Sequence, residues 1–276
     1  MSAPFDDTAA PDYAGLLRLD GRGFVVLGAG QGIGRQVALA LGQLGGEVLC
    51  VDRDIEHAQR VAGQVGGVAV AADVTQRGEL ERVFAHAAER LSRPYGVVDI
   101  VGMAAIQRLL DTGDDTYEQQ HALVFRHVFL ALQLGGRMLA ARGEGAMVVV
   151  GSLSGLTAVE GQALYGAFKA GVHHLVRGAA AEFGASGVRV NTVAPGATKT
   201  PRLVATLGPD WRRVSDALPL RRVADPHEIA SVIAFLCSDM AVHMTGQTLA
   251  VDGGASVASS RPPLIPTFTP SNLKWP

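Results

Sequence analysis

The stretch "GSLSGLTAVEGQALYGAFKAG", Gly151 to Gly171, carries Ser152, then Tyr165 thirteen residues on, then Lys169 four residues after that. Four residues apart on a helix, Tyr165 and Lys169 share a face. An ammonium beside a phenol favours the phenolate and lowers its pKa toward working pH. A phenol tuned this way can take a proton from an alcohol or give one to a carbonyl. A serine hydroxyl at the end of a strand can hold the substrate oxygen. Taken singly, each residue has a plainer use: a tyrosine packed at an interface, a surface lysine, a serine capping a helix.

A second chemical signal lies near the start. "LGAGQGIG" places Gly28, Gly32 and Gly34 between an apolar run and a helical pattern. Glycines there let the backbone turn sharply and approach a pyrophosphate resting on free N–H groups at a helix N-terminus. Asp52 closes the next apolar run, where its carboxylate suits a ribose diol and repels a 2′-phosphate. Gln31 brings no cation to such a phosphate, so both point to NAD. Arg53 is the counter-signal, although strand alternation turns it away from Asp52. Asp73, in "AADVT", can bond an adenine amino group; a strand-end carboxylate and a helix cap are the structural alternatives for Asp52 and Asp73.

These residues need a frame. "GFVVLG", "EVLCVD", "VAVAADV", "GVVDIVGMAA", "AMVVVGS", "VRVNTVAPG" and "QTLAVDGG" read as seven buried strands, with helical patterns between them. Unbroken apolar strands alternating with helices indicate a parallel sheet covered on both faces. The expected fold is therefore α/β, a doubly wound sheet in one domain over residues 19–255. "DDTYEQQHALVFRHVFLALQLGGRMLAAR" reads as one long helix. Residues 1–18 read as a flexible head and 256–276, rich in proline, as an extended tail. Residues 198–222 read as a lid.

Composition narrows the function. Hydrophobic residues make up 48% of the 276, enough for a sizeable core, and the net charge of −2 argues against binding nucleic acid. Cys50 and Cys237 lie far apart in apolar runs and read as buried thiols. The acidic N-terminus lacks the apolar core of a signal peptide, and no run of eighteen apolar residues predicts a membrane span. A cytoplasmic protein without membrane or nucleic-acid partners is expected.

With these motifs in order, the chain resembles the short-chain dehydrogenases/reductases. The resemblance covers about Leu19 to Gly254. It rests on "GAGQGIG", "VDRD", "ADV", the Ser152, Tyr165 and Lys169 spacing, "VNTVAPG" and "RRVADPHEIASVIAFLCSD" with "TGQTLAVDGG". It implies a Rossmann-type sheet, a nicotinamide cofactor and hydride transfer at a secondary alcohol or ketone. It implies that Tyr165 is the acid/base, that Lys169 bonds the nicotinamide ribose and lowers the Tyr165 pKa, and that Ser152 orients the substrate oxygen. Cofactor contacts are implied along Ile33, Val74, Ala104, Ala105, Pro195, Gly196, Ala197 and Thr198, with Thr200 at the carboxamide. A homotetramer, or a homodimer, is implied as well.

Three places depart from the family pattern. Met103 to Ile106 stand where the family has Asn-Asn-Ala-Gly, and Leu27 stands where it has Thr. Replacing both partners of a polar contact by apolar groups can be near neutral. Val124 stands where the family has an asparagine that bends the long helix and holds a water leading to the lysine. His121 and His127 flank it at three residues either side, as substitutes or as ordinary helix histidines.

Ile106, Leu153, Leu156, Leu203, Leu207 and Trp211 are the expected substrate lining, which suits a hydrophobic cyclic or steroid-like alcohol or ketone. The alternatives are a 3-oxoacyl-thioester reductase, an isomerase or lyase using bound NAD(H) without net redox, and a non-catalytic nucleotide-binding scaffold.

Overall fold

The computed structural model describes residues 10–208 and 210–257. Seven parallel strands form one sheet in the order β3-β2-β1-β4-β5-β6-β7. They are β1 (Gly23–Leu27), β2 (Glu47–Asp52), β3 (Val68–Ala71), β4 (Pro94–Asp99), β5 (Gly145–Val150), β6 (Val188–Pro195) and β7 (Thr248–Val251). The chain builds outward from β1 to β3, then returns to start β4 on the other side of β1. The strand ends at β1 and β4 therefore splay apart, which is where such sheets bind ligands.

Side chains alternate between two cores. Val25 and Leu27 of β1, with Met147 and Val149 of β5, enter one cluster with Leu80 and Val83 of α3 (Arg77–Arg90) and Val172 and Val176 of α6 (Ala163–Phe183). Phe24 and Val26, with Ala146 and Val148, enter the other with Val37 and Leu41 of α1 (Gly32–Gln43), Val61 of α2 (Ile55–Val65) and Ile229 and Ile233 of α9 (Pro226–Cys237). A period of two with both parities apolar is what a sheet covered on both faces requires.

Local chemistry fixes the helix ends. Asp54 caps α2 by accepting the N–H groups of Glu56 and His57, and Gly66 ends it with a left-handed φ of 63°. Glu228 reaches back to the Asp225 N–H at 2.8 Å to start α9, and Arg222 holds the same carboxylate at 2.6 Å on each oxygen.

The structure changes three of the expectations. The long helix is three pieces: α4 (Asp114–Gln120), a π-helical turn (His121–Arg126) and α5 (His127–Ala140). The widened turn falls at buried Val124, so no asparagine is needed to interrupt the helix here. It lets His121 and Phe125 pack with Tyr117 and Phe168 while Val124 and Val128 stay buried. The fourth strand stops at Asp99 rather than reaching Ala105, because Gly102 takes a φ of 155° and the backbone leaves the sheet. β2 ends at Asp52, so strand alternation does not place Arg53, which is exposed. Residues 10–18 include a 3-10 turn at Gly15–Leu17, and residues 1–9 and 258–276 lie outside the described residues. Residues 198–222 include α7 (Pro201–Leu207) and α8 (Arg212–Asp216).

The span Asp114–Ala140 is long and apolar enough to cross a membrane by length and composition. Half of its most apolar stretch is buried inside the protein, against α3, β4, β5 and α6, which is the position of a core helix.

Candidate active site

The Ser152 site is assembled where β5 ends. Ser152 is extended, with φ −166°, and caps the short turn Leu153–Gly155 by accepting the Ser154 N–H at 3.1 Å. Its own N–H points to Nε2 of His173 at 3.4 Å. His173 lies four residues, about one turn, after Lys169 in α6 and is buried. Burial, then the charges of Lys169 and Arg177, push its pKa down to about 4, so near neutrality it serves as a neutral acceptor. A side chain at Gly151 or Gly155 would strike this ring, which explains two glycines flanking the serine turn.

Lys169 is only 1% exposed. Its ammonium donates to the Val150 carbonyl at 2.7 Å and lies 5.9 Å from the centre of the Tyr165 ring. Burial pulls its pKa down to about 8, opposed by the negative charge of Asp99. The structure thus brings Ser152, Tyr165 and Lys169 together at one strand end. It corrects one expectation about them. The Tyr165 pKa is raised, because burial of the phenol outweighs the hydrogen bond to Ser152. The Lys169 ammonium is turned to the Val150 carbonyl.

The glycine turn sits two strands over, after β1. Gly28 and Gly32 have positive φ, 84° and 55°, and a Cβ at Gly34 would collide with the Gly28 carbonyl. Gln31 precedes α1 in extended conformation and leaves the cap without a side-chain bond, so the first N–H groups stay free for an anion. Ile33 packs into the second core. Asp52 accepts the Gly30 N–H at 2.9 Å on one oxygen and the Asp54 N–H at 3.1 Å on the other. A cavity of about 500 Å³ opens here, lined by Gly30, Gln31 and Gly32 with Arg35, Arg60 and Lys199. This glycine cradle, with free N–H groups and a carboxylate at the next strand end, fits a dinucleotide.

The remaining predicted residues fall around these two centres. Asp73 accepts the Thr75 N–H at 2.9 Å and its hydroxyl at 2.7 Å, forming a turn; α3 is preceded by Gln76, so Asp73 is not the helix cap. Val74 is buried beside it. Ala104 and Ala105 lie in the irregular segment after β4, where the Ala105 N–H donates to buried Gln120 at 3.1 Å. Leu27 and the segment are joined by packing and backbone: the Ile100 N–H bonds the Leu27 carbonyl at 3.0 Å, and Val101 abuts Gly28. Pro195 ends β6, and Gly196 is pressed against Asp252 so closely that a Cβ would lie 2.8 Å from its Cα. Thr198 bonds the Gly196 carbonyl at 3.1 Å. Thr200 caps α7 through the Leu203 N–H at 3.3 Å and faces Gly32, which sets the start of α7 against the glycine turn.

Ile106 is 68% exposed and covers Gly161, and Leu156 is 44% exposed, so two large apolar groups stand open on the Ser152 side. Leu153 lies in the serine turn. Leu203 is half-buried on α7 and Trp211 half-buried just before α8; the Leu207 side chain lies outside the described residues. Sequence reasoning passed over His173, Asp99 and Gln120, three buried polar groups around the site. Their signal was a polar residue inside an apolar run. Among the described residues no cluster of His, Cys, Asp or Glu is arranged to hold a metal.

The family described as Enoyl-(Acyl carrier protein) reductase matches residues 28–256, most of the chain. The chain belongs to the short-chain dehydrogenase/reductase family. Galactitol 2-dehydrogenase (L-tagatose-forming) from Cereibacter sphaeroides is 37% identical over 259 residues, 89% of this chain and 99% of that protein. D-threitol dehydrogenase from Mycolicibacterium smegmatis is 32% identical, over 87% of this chain and 95% of that protein. Among solved structures, a 7α-hydroxysteroid dehydrogenase complexed with NADH and 7-oxoglycochenodeoxycholic acid superposes with a TM-score of 0.83. It is 30% identical and covers 88% of this chain and 98% of that one. This short-chain dehydrogenase/reductase is thus an oxidoreductase whose relatives act on alcohol groups.

Proposed function

We propose that this protein is an NAD-dependent dehydrogenase of secondary alcohols, working in reverse as a ketone reductase. The observation that carries the reading is Tyr165 beside Ser152 with a buried ammonium behind it, at the end of β5, two strands from the glycine cradle. Nothing in folding needs that group: burying an ammonium in a core is costly.

Ser152 and the Tyr165 hydroxyl hold the substrate oxygen. Tyr165 takes the alcohol proton as the carbon–hydrogen bond breaks, and the carbonyl forms as the hydride leaves. Bound NAD supplies the hydride acceptor and a cationic nicotinamide ring. Lys169 holds positive potential behind the phenol, which favours the phenolate and sets the proton's return to water. His173 fixes the Ser152 turn, and the lid helices exclude water. Gly28, Gln31, Gly32, Ile33 and Gly34 would hold the pyrophosphate, Asp52 the adenosine ribose, Asp73 and Val74 the adenine. Ala104, Ala105, Pro195, Gly196, Thr198 and Thr200 would line the nicotinamide end.

The exposed Ile106 and Leu156, with Leu153, Leu203, Leu207 and Trp211, favour a hydrophobic cyclic or steroid-like substrate. The resemblance to a hydroxysteroid dehydrogenase supports this; the galactitol and threitol relatives support a polyol as the second reading. Cofactor choice has a second reading too, since Arg35, Arg60 and Lys199 at the cavity would attract a 2′-phosphate. The reading includes a cytoplasmic location and self-association through exposed Tyr117 and Phe129 on the long helix.

The test is reduced-cofactor absorbance with NAD or NADP across hydroxysteroid-type alcohols and sugar alcohols. NADH formation on the steroid-type set is the expected result. NADPH formation, or turnover of sugar alcohols alone, would overturn the cofactor or the substrate choice. No turnover with any alcohol or matching ketone, despite NAD binding, would overturn the dehydrogenase reading.

A further inference from the structure

Behind Lys169 lies a buried carboxylate to which the mechanism above gives no task. Asp99 closes β4 and is 2% exposed. It pairs in register with Val149 of β5, one residue before the carbonyl that holds the Lys169 ammonium. Its Oδ1 accepts the Val101 N–H at 3.1 Å. Its Oδ2 lacks a hydrogen-bond partner and lies 3.4 Å from Nε2 of His127, which is 0% exposed and the first residue of α5. Neither ring nitrogen of His127 has a hydrogen-bond partner among the described residues.

A carboxylate and an imidazole buried face to face are costly; two apolar side chains would fill the space at less cost. A compensating charge is at hand. Lys169 is buried as deeply, and the negative charge of Asp99 acts on it to favour the ammonium. The segment leaving Asp99 wraps that ammonium: a Cβ on Gly102 would lie 3.2 Å from Nζ.

We propose that Asp99, held in place by His127, is the buried counter-charge of Lys169 and a positioning residue for the Ser152, Tyr165 and Lys169 group. This rests on reading that group as catalytic. Burial works against the ammonium, and a neutral Lys169 would leave the Tyr165 phenol with no positive charge from the protein behind it. Asp99 offsets that loss. The other titratable groups at this point are Tyr165 and His173 on α6, and His127 on α5; His173 is neutral near pH 7 because burial dominates it. His127 offers Nε2–H to Oδ2 as one neutral tautomer or as the cation.

The test is a double-mutant cycle in stability together with a pH profile. Asp99→Asn removes the charge and keeps an oxygen for the Val101 N–H. In the proposal it lowers Tm in the wild type and raises it in Lys169→Met, where the carboxylate has no cation to compensate. Alcohol oxidation by Asp99→Asn should need a pH about one unit higher to reach half its maximum, with substrate KM within about twofold. Asp99→Glu should recover part of the shift. An unchanged profile, with the same change in Tm in both Lys169 backgrounds, overturns the proposal. Should Asp99→Asn not fold, His127→Gln decides by the same two readouts, with a smaller shift in the same direction expected and no shift and no coupling overturning it. Turnover surviving in Tyr165→Phe would sink the catalytic reading itself, whatever the cycle shows.

Discussion

Replacing Lys169 with methionine should make the protein more stable near neutral pH while removing its activity. The folded protein holds this ammonium with a pKa of about 8, against an ordinary 10.5, chiefly because it is buried. Below pH 8 both folded and unfolded chains carry the proton. Between pH 8 and 10.5 the unfolded chain binds more protons than the folded one, so stability rises with pH across that window. The gap corresponds to about 3 kcal/mol that the buried charge costs at pH 7. Lys169→Met removes the cost and fills a similar volume. It also leaves the Val150 carbonyl without its donor and Asp99 without its cation, which takes back about 1–2 kcal/mol. The net gain at pH 7 is about 1–2 kcal/mol, seen as a Tm higher by roughly 2–8 °C. The assay is thermal unfolding of both proteins from pH 7 to pH 10. The methionine variant should lead at pH 7 and fall behind the wild type by the alkaline end, a relative change of about 3 kcal/mol. A difference between the two proteins that stays flat with pH would refute the reasoning, because it would mean that Lys169 bears no burial cost.

Other outcomes follow from the same geometry. Gly34→Ala puts a methyl into the Gly28 carbonyl, so calorimetric titration should show NAD affinity falling at least about tenfold, with a stability loss of about 1–3 kcal/mol. His173, with its pKa pushed down to about 4 from 6.5, is neutral when folded and protonated when unfolded as pH falls between those values. Wild type should lose up to about 3 kcal/mol more stability than His173→Leu on acidification from pH 6.5 to 4, measured by denaturant titration. Glu228→Gln breaks the cap of α9 and its pairing with Arg222, and thermal unfolding should show a loss of about 1 kcal/mol with kcat unchanged.

The frame was readable because strands buried on both faces leave unbroken apolar runs, and glycines at the turns leave a pattern that no side chain could replace. Ser152, Tyr165 and Lys169 were readable for a similar reason, since a helix fixes the four-residue spacing. What escaped depends on neighbours distant in sequence. The apolar letters after Asp99 look like more strand, and only the turn at Gly102 shows that the chain leaves the sheet. The π-helical turn at Val124 is selected by rings from α4 and α6, and no local residue marks it. Asp99 and His127 meet across 28 residues of sequence, and each alone looks like a polar residue in an apolar run. The raised Tyr165 pKa could not be read from a lysine four residues away, because burial of the phenol by the folded chain decides it.

The most direct measurement of the central claim follows NADH formation by wild type and by Tyr165→Phe on the best secondary alcohol, with NAD binding measured on both. The account predicts steady turnover by the wild type, a loss of at least about a hundredfold in kcat for the variant, and similar NAD affinity for the two proteins. Equal turnover by the two proteins would contradict it, since the proton would then pass through some group other than the Tyr165 hydroxyl.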